Sequence, residues 1–278
     1  MRLESGDWTA EFLPERGLLG LSVTCRGREL LHQRGGLDTW KVGGHTMALP
    51  LLAPWANRLS QGSYTFDGIE VDLLASPDVH EDEHGLPIHG TMIAQPGWEV
   101  VRDEPAGFTA RFAYDRDDLL AAFPFPHDLE VVVDLDEGLR LETAILSRDS
   151  AVPVSFGWHP YFRADRSSDV LGLPDRRRLE LDGRGIPTGH EEPVPAEWGP
   201  LGDSVQDDHY ALGADRRFGL GALELVFGEG YPFAQVFAPA ESTFVAIEPM
   251  TARVNALVEG TAPRVEPGGR FAAVFTIS

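Results

Sequence analysis

The sequence predicts an all-β chain, an antiparallel sandwich or barrel, and two observations carry that prediction. Apolar and polar residues alternate through most of the chain, and the alternating runs are short and divided by Gly- and Pro-rich turns. Helical periodicity is nearly absent, since Asp117–Ala122 has room for about one helical turn and little more.

Taken in order, the runs Trp98–Arg102, Phe108–Tyr114, Leu129–Leu135 and Leu139–Leu146 read as strands, the last two joined by a hairpin turning at Glu137-Gly138. The Pro- and charge-rich stretch Pro187–Pro200 reads as a long surface loop. Leu179–Leu181, Leu223–Phe227, Phe233–Phe237, Phe244–Ile247 and Phe271–Ile277 complete the strand set. No Ser/Gly linker, composition break or internal repeat divides the chain, so residues 1–278 are expected to form a single domain.

Composition narrows the function classes. A hydrophobic fraction of 42% supplies a real core. The net charge of −21 would repel phosphate, which argues against nucleic acid and anionic membrane as partners. The lone Cys25 has no intrachain partner, which suits a reducing compartment. With no apolar leader in MRLESGDWTA and no run of apolar residues long enough to span a bilayer, a soluble cytoplasmic protein is expected, as monomer or homodimer.

The stretch VHEDEHGLPIHG contains His80-Glu81-Asp82-Glu83-His84, a match to the H-E-x-x-H zinc-peptidase pattern. That pattern needs a helix to bring both histidines to one face. Here Pro77 precedes the match and Gly85 and Pro87 follow it, and the middle positions are both acidic, so no helix of useful length fits. No metal site is expected. His89, just outside the match, is read either as a structural histidine or as a functional one.

Four other stretches set polar groups beside strand breakers, where loops over a β-scaffold carry function. Asn57-Arg58-Leu59 is a turn with an exposed arginine or a binding element. In Trp158-His159-Pro160-Tyr161-Phe162 the aromatics are either core or a stacking wall for a sugar ring. Asp207-Asp208-His209-Tyr210 offers two carboxylates that are either solvated or binding. Glu248, closing an apolar strand at Pro249, either faces solvent or is desolvated enough to serve as a general base.

In this order the stretches resemble the aldose 1-epimerase (galactose mutarotase-like) family. The resemblance rests on Asn57-Arg58-Leu59 with the strand Gly62–Gly68, on Ile88-His89-Gly90, on His159-Pro160-Tyr161-Phe162, on Asp207–Tyr210, and on Ile247-Glu248-Pro249. It implies a large antiparallel β-sandwich that interconverts the anomers of a free aldose with neither metal nor organic cofactor. It further implies Glu248 as the base at the C1 hydroxyl and His159 as the acid at the ring oxygen. His89, Arg58, Asp207 and Asn57 would hold the sugar, with Trp158 or Tyr161 as an apolar wall. Asp207 fits the pattern better than Asp208, and His89 better than the extra pair His84-Gly85. Asn255 departs from the family's acidic residue. A hexose-6-phosphate epimerase is the near alternative, its phosphate met by Arg163, Arg166 or Arg176-Arg177-Arg178; a non-catalytic sugar binder is the other.

Overall fold

The computed structural model describes residues 1–40 and 46–278. In the strand His127–Leu135 every second residue is buried and those between are half-buried, as alternation requires of a sheet with one face on a core. Leu139–Ser147 repeats the pattern except at the buried Ala144, and pairs with it antiparallel, from Leu135 opposite Leu139 to His127 opposite Ser147. A Cβ on Gly138 in the connecting turn would stand 2.4 Å from the Ile277 carbonyl oxygen, so glycine is required there.

These strands belong to a nine-stranded sheet, which also contains Gly107–Tyr114, Leu223–Phe227 and Arg270–Ile277. An eight-stranded sheet is ordered Pro187–Val194, Arg176–Leu181, Gln206–Leu212, Phe233–Ala238, Phe244–Met250, Gly157–Trp158 and Leu51–Leu52, with Tyr161–Arg163 also paired to Phe244–Met250. Apolar faces of the two sheets meet where Trp158 packs 6.2 Å from Phe275 and Phe156 packs 6.1 Å from both Tyr231 and Phe271. The expected large antiparallel β-sandwich is therefore present. Among the described residues the only α-helix is Asp117–Leu120, and no helix is long and apolar enough to cross a membrane.

One expected loop is not a loop. Pro187–Val194 is the edge strand of the eight-stranded sheet and Glu197–Pro200 the edge strand of the nine-stranded one. Edge position explains why prolines and charges are tolerated, since one side of the backbone needs no ladder partner. The charges serve as partners: Arg177 bonds Glu191 at 2.9 Å and Arg178 pairs with Glu192 across neighbouring strands, while Arg176 reaches Glu197 on the edge strand of the other sheet.

Candidate functional site

The eight-stranded sheet presents two neighbouring rows of side chains on one face. Glu248, Gln235 and His209 are directly opposite one another on three adjacent strands. Two residues along, Tyr161, Ala246, Phe237 and Asp207 form the second row. Alternation sends Tyr210, Val236 and Ile247 to the other face, where they are buried in the core. A pocket of about 260 Å³ opens over the two rows, lined by Glu248, Gln235, Asp207, Tyr161 and Phe237 together with residues from three loops. Hollows of about 400 and 450 Å³ lie elsewhere, so volume alone does not single out the site; the convergence of buried titratable groups does.

His159 Nε2 lies 3.2 Å from Glu248 Oε1, and the two residues are 5% and 2% exposed. Burial holds Glu248 well above the usual carboxylate range, helped by Asp207 and opposed by Arg58. Burial likewise holds His159 well below the ordinary histidine value, with His89 and Arg34 adding to it. Burial thus disfavours the charged form of both groups, which face each other across the contact. Glu248 Oε2 and His159 Nδ1 are buried without a protein partner.

Tyr161 lies two residues beyond His159, and its ring stacks on the imidazole at 4.1 Å and 11°. Its hydroxyl oxygen is 3.0 Å from His159 Nε2, 2.5 Å from Thr46 Oγ1, and accepts from Arg34 Nη1 at 3.2 Å. Burial pushes the phenol up to about 12, so it stays protonated. Trp158 points the other way. It is fully buried, its indole N–H donates to Thr143 Oγ1 at 3.0 Å, and it lies outside the pocket. The expected choice between Trp158 and Tyr161 as an apolar wall therefore falls to Tyr161, because neighbouring residues on an extended chain face opposite ways.

The loops supply the opposite wall. The His80–His84 match lies on a small hairpin, with His80 opposite Ile88 and Glu81 opposite Pro87, instead of a turn of helix. His84 is exposed and outside the pocket, whereas His89 lines it half-buried. A Cβ on Gly90 would stand 2.1 Å from the Ala53 carbonyl oxygen, so the residue after His89 must be glycine for the loop to sit this close. His89 Nδ1 accepts from the Asn57 backbone N–H at 3.2 Å, which leaves the proton on Nε2 as a donor. Burial, with Arg58 and His80 nearby, lowers His89 to about 3 and keeps it neutral.

Asn57 also donates from Nδ2 to Gln235 Oε1 at 3.3 Å, and Gln235 Nε2 donates to Asp207 Oδ1 at 2.8 Å. Arg58 Nε donates to Asp82 Oδ2 at 2.6 Å, so the acidic hairpin holds the arginine in the pocket wall. Asn255 Oδ1 accepts from the Ser60 backbone N–H at 2.7 Å, and the Asn255 N–H donates to the Arg58 carbonyl at 3.1 Å; the departure from the family pattern braces the loop behind Arg58. Asp207 lines the pocket; Asp208 lines the neighbouring hollow of about 450 Å³, which Asp207 also borders.

Of the expected residues, Glu248, His159, Tyr161, His89, Asn57, Arg58 and Asp207 converge, and Trp158 does not. The arginines suggested for a phosphate also lie outside. Arg163 donates to the Leu31 carbonyl, Arg166 donates to the carbonyls of Ser242, Gly202, Ser204 and Pro239, and Arg176–Arg178 are in the edge-strand ion pairs. Gln235, Arg34 and Thr46 were not anticipated. Gln235 carried a signal, as the single polar residue of Phe233–Phe237 in phase with two phenylalanines; Arg34 and Thr46 carried none.

A family model described as aldose 1-epimerase matches residues 20–217. Solved structures agree in fold. A protein from Synechocystis sp. PCC 6803 is 23% identical over 100% of this chain and 94% of its own, with a TM-score of 0.80. A galactose mutarotase-like protein from Clostridium acetobutylicum is 18% identical over 100% and 94%, with a TM-score of 0.85. A GalM/aldose epimerase homologue from C. elegans is 17% identical over 100% and 97%, with a TM-score of 0.79. A search of curated proteins finds no match. With the family's model covering most of the chain and its sandwich fold carrying the pocket, this protein belongs to the aldose 1-epimerase family.

Proposed function

We propose that the protein interconverts the α and β anomers of a free, uncharged aldose by acid–base opening and closure of the ring, with no cofactor. The observation that supports this most directly is the buried 3.2 Å contact between His159 Nε2 and Glu248 Oε1, close enough for a proton to pass between the two groups. Ring opening moves one proton off the C1 hydroxyl and one onto the ring oxygen, so a pair holding a single transferable proton is sufficient.

In the forward direction Glu248, as carboxylate, takes the C1 hydroxyl proton while the His159 imidazolium gives one to the ring oxygen. The C1–O5 bond breaks, C1 becomes an aldehyde, and the pair is left as carboxylic acid and neutral imidazole. That is the form burial favours at rest, so the pair is best matched to the open chain. Rotation about C1–C2 and the reverse transfers close the other anomer. Each proton transfer contributes about 10²–10⁴-fold. His89 Nε2–H donates to the ring oxygen or a neighbouring hydroxyl, Arg58, Asn57 and Asp207 hold the remaining hydroxyls, and Tyr161 with Phe237 forms the apolar side.

Charge favours an uncharged sugar over a phosphorylated one. Arg34 and Arg58 line the pocket against Glu81, Asp82, Glu83 and Asp207, and Arg58 is already paired with Asp82. The test is polarimetry: the optical rotation of fresh α-D-glucose or α-D-galactose should decay faster with protein than without, and glucose 6-phosphate should be a poorer substrate. Sugar binding without acceleration would make the protein a binder instead.

A further inference from the structure

His209 is fully buried, yet it stands in the same row as Glu248 and Gln235, directly opposite Gln235 on the neighbouring strand. It lies outside the pocket lining, and the proposed ring opening does not use it. A neutral imidazole carries one donor and one acceptor, and burying either without a partner is costly. The acceptor is accounted for, because His209 Nε2 accepts from the Val254 backbone N–H at 3.2 Å. The proton is therefore on Nδ1, which is buried and has no partner within ordinary hydrogen-bond geometry. Burial lowers His209 to about 3, so the ring keeps this neutral form at neutral pH.

Two acceptors lie beside the ring, the Gln235 side chain and the Ala234 carbonyl. Only the first bears on the pocket. Gln235 Oε1 accepts one long bond, from Asn57 Nδ2 at 3.3 Å, and an amide oxygen has a second lone pair to offer. Gln235 Nε2 donates to Asp207 Oδ1 at 2.8 Å. Turned over, the amide would set its oxygen against the Asp207 carboxylate, acceptor facing acceptor. A second donor at Oε1 opposes that turn. The other side of the imidazole reaches the opposite wall, since Val254 precedes Asn255, which braces the loop carrying Arg58 through the Arg58 carbonyl and the Ser60 N–H. One buried ring thus joins the strand pair under Asp207 to the loop behind Arg58.

We propose that His209 is a positioning residue of the pocket: its Nδ1–H donates to Gln235 Oε1, sets the amide, and so places the Asp207 carboxylate. The proposal rests on the epimerase reading, in which Asp207 holds a sugar hydroxyl. Two substitutions separate the ring nitrogens, because an asparagine amide overlies Nδ1 and a glutamine amide overlies Nε2. By polarimetry on the monosaccharide turned over fastest, His209→Gln should raise KM about threefold to tenfold, the worth of one hydrogen bond, with kcat near its original value. His209→Asn should recover most of that loss in KM, although it gives up the bond to Val254 and unfolds more easily. Added to Gln235→Ala, His209→Gln should raise KM no further. The His209 Nδ1 proton resonance should move upfield in Gln235→Ala, a variant that leaves His209 in place. An unmoved resonance assigns the proton to the Ala234 carbonyl and overturns the proposal, whether or not His209→Gln folds. An unchanged KM in folded His209→Gln, or equal rises in the glutamine and asparagine variants, overturns it too. If the unaltered protein accelerates no sugar, the epimerase reading fails and this role with it; if it does and His209→Gln keeps the original KM, that reading stands and the role is lost.

Discussion

Asn57 and His89 hold each other by two hydrogen bonds: the Asn57 N–H donates to His89 Nδ1 at 3.2 Å, and the His89 N–H donates to the Asn57 carbonyl at 3.1 Å. Both residues take left-handed backbone conformations to do so, with φ of 61° and 64°. Asparagine tolerates this best among residues with a side chain, and its Oδ1 accepts from the Arg58 N–H at 2.8 Å to hold the turn. The exchange fixes His89 as an Nε2–H donor.

Asn57→Ala should therefore destabilise the fold by about 1–3 kcal/mol, since alanine keeps the left-handed strain and loses the turn's hydrogen bond. Asn57→Gly should recover part of that stability by removing the strain. Both variants free Gln235 from one partner and should raise KM for the sugar. Denaturant unfolding read beside sugar kinetics checks the pair; equal stability of the two variants would mean that strain at Asn57 is not significant.

The buried His159–Glu248 pair predicts a pH profile. Activity needs the state holding one shared proton, so it falls when the pair gains a second proton or loses the first. Burial lowers His159 below its ordinary 6.5, which places the acid limb below pH 6.5. Burial raises Glu248 above its ordinary 4.5, which moves the loss of the last proton upward and widens the plateau. Glu248→Gln removes the acceptor and should cost about 10²–10⁴-fold in kcat with the sugar still bound. A rate near that of the unaltered protein would exclude Glu248 as the base.

Trp158 should act on stability and not on sugar binding. It is fully buried between the sheets and bonded to Thr143. Trp158→Ala should cost about 3–5 kcal/mol in unfolding free energy. Trp158→Phe, which keeps most of the apolar volume, should cost less and leave KM unchanged. A selective rise in KM in the phenylalanine variant would return Trp158 to the pocket wall.

The sandwich was legible because its strands bury one face, and a one-face strand writes period two into the sequence, as in Leu129–Leu135 within the observed His127–Leu135. The edge strand Pro187–Val194 was not legible: half exposed and laddered by Arg–Glu pairs, it has the composition of a loop. For the pocket, the sequence marked Glu248 and His159 because each stands next to a proline that breaks its strand. Trp158 was misjudged although the period was available, since His159 and Tyr161, two apart, share a face that Trp158 cannot. Arg34 was not legible, because nothing local marks a residue that meets Tyr161 only when chain segments 127 residues apart are folded together.

Arg34 gives the last prediction. Its Nη1 donates to the Tyr161 hydroxyl at 3.2 Å and to the Thr46 carbonyl at 3.0 Å, and its guanidinium carbon lies 5.1 Å from the centre of the Tyr161 ring. Tyr161 in turn stacks on His159. The titratable and charged groups around the His159 imidazole are Glu248 at Nε2, the Tyr161 hydroxyl, the His89 ring at 5.6 Å, and Arg34. Arg34 and His89 disfavour an imidazolium, and Arg34 is the permanent charge of the two. Arg34→Met should make His159 easier to protonate and move the acid limb of the rate profile to higher pH, by about half a unit to one unit for a partly screened charge. Arg34→Lys keeps the charge and loses the fork, so the limb should stay near its original place while KM rises. A lower kcat in Arg34→Met at every pH, with the limb unmoved, would assign the arginine a purely structural role.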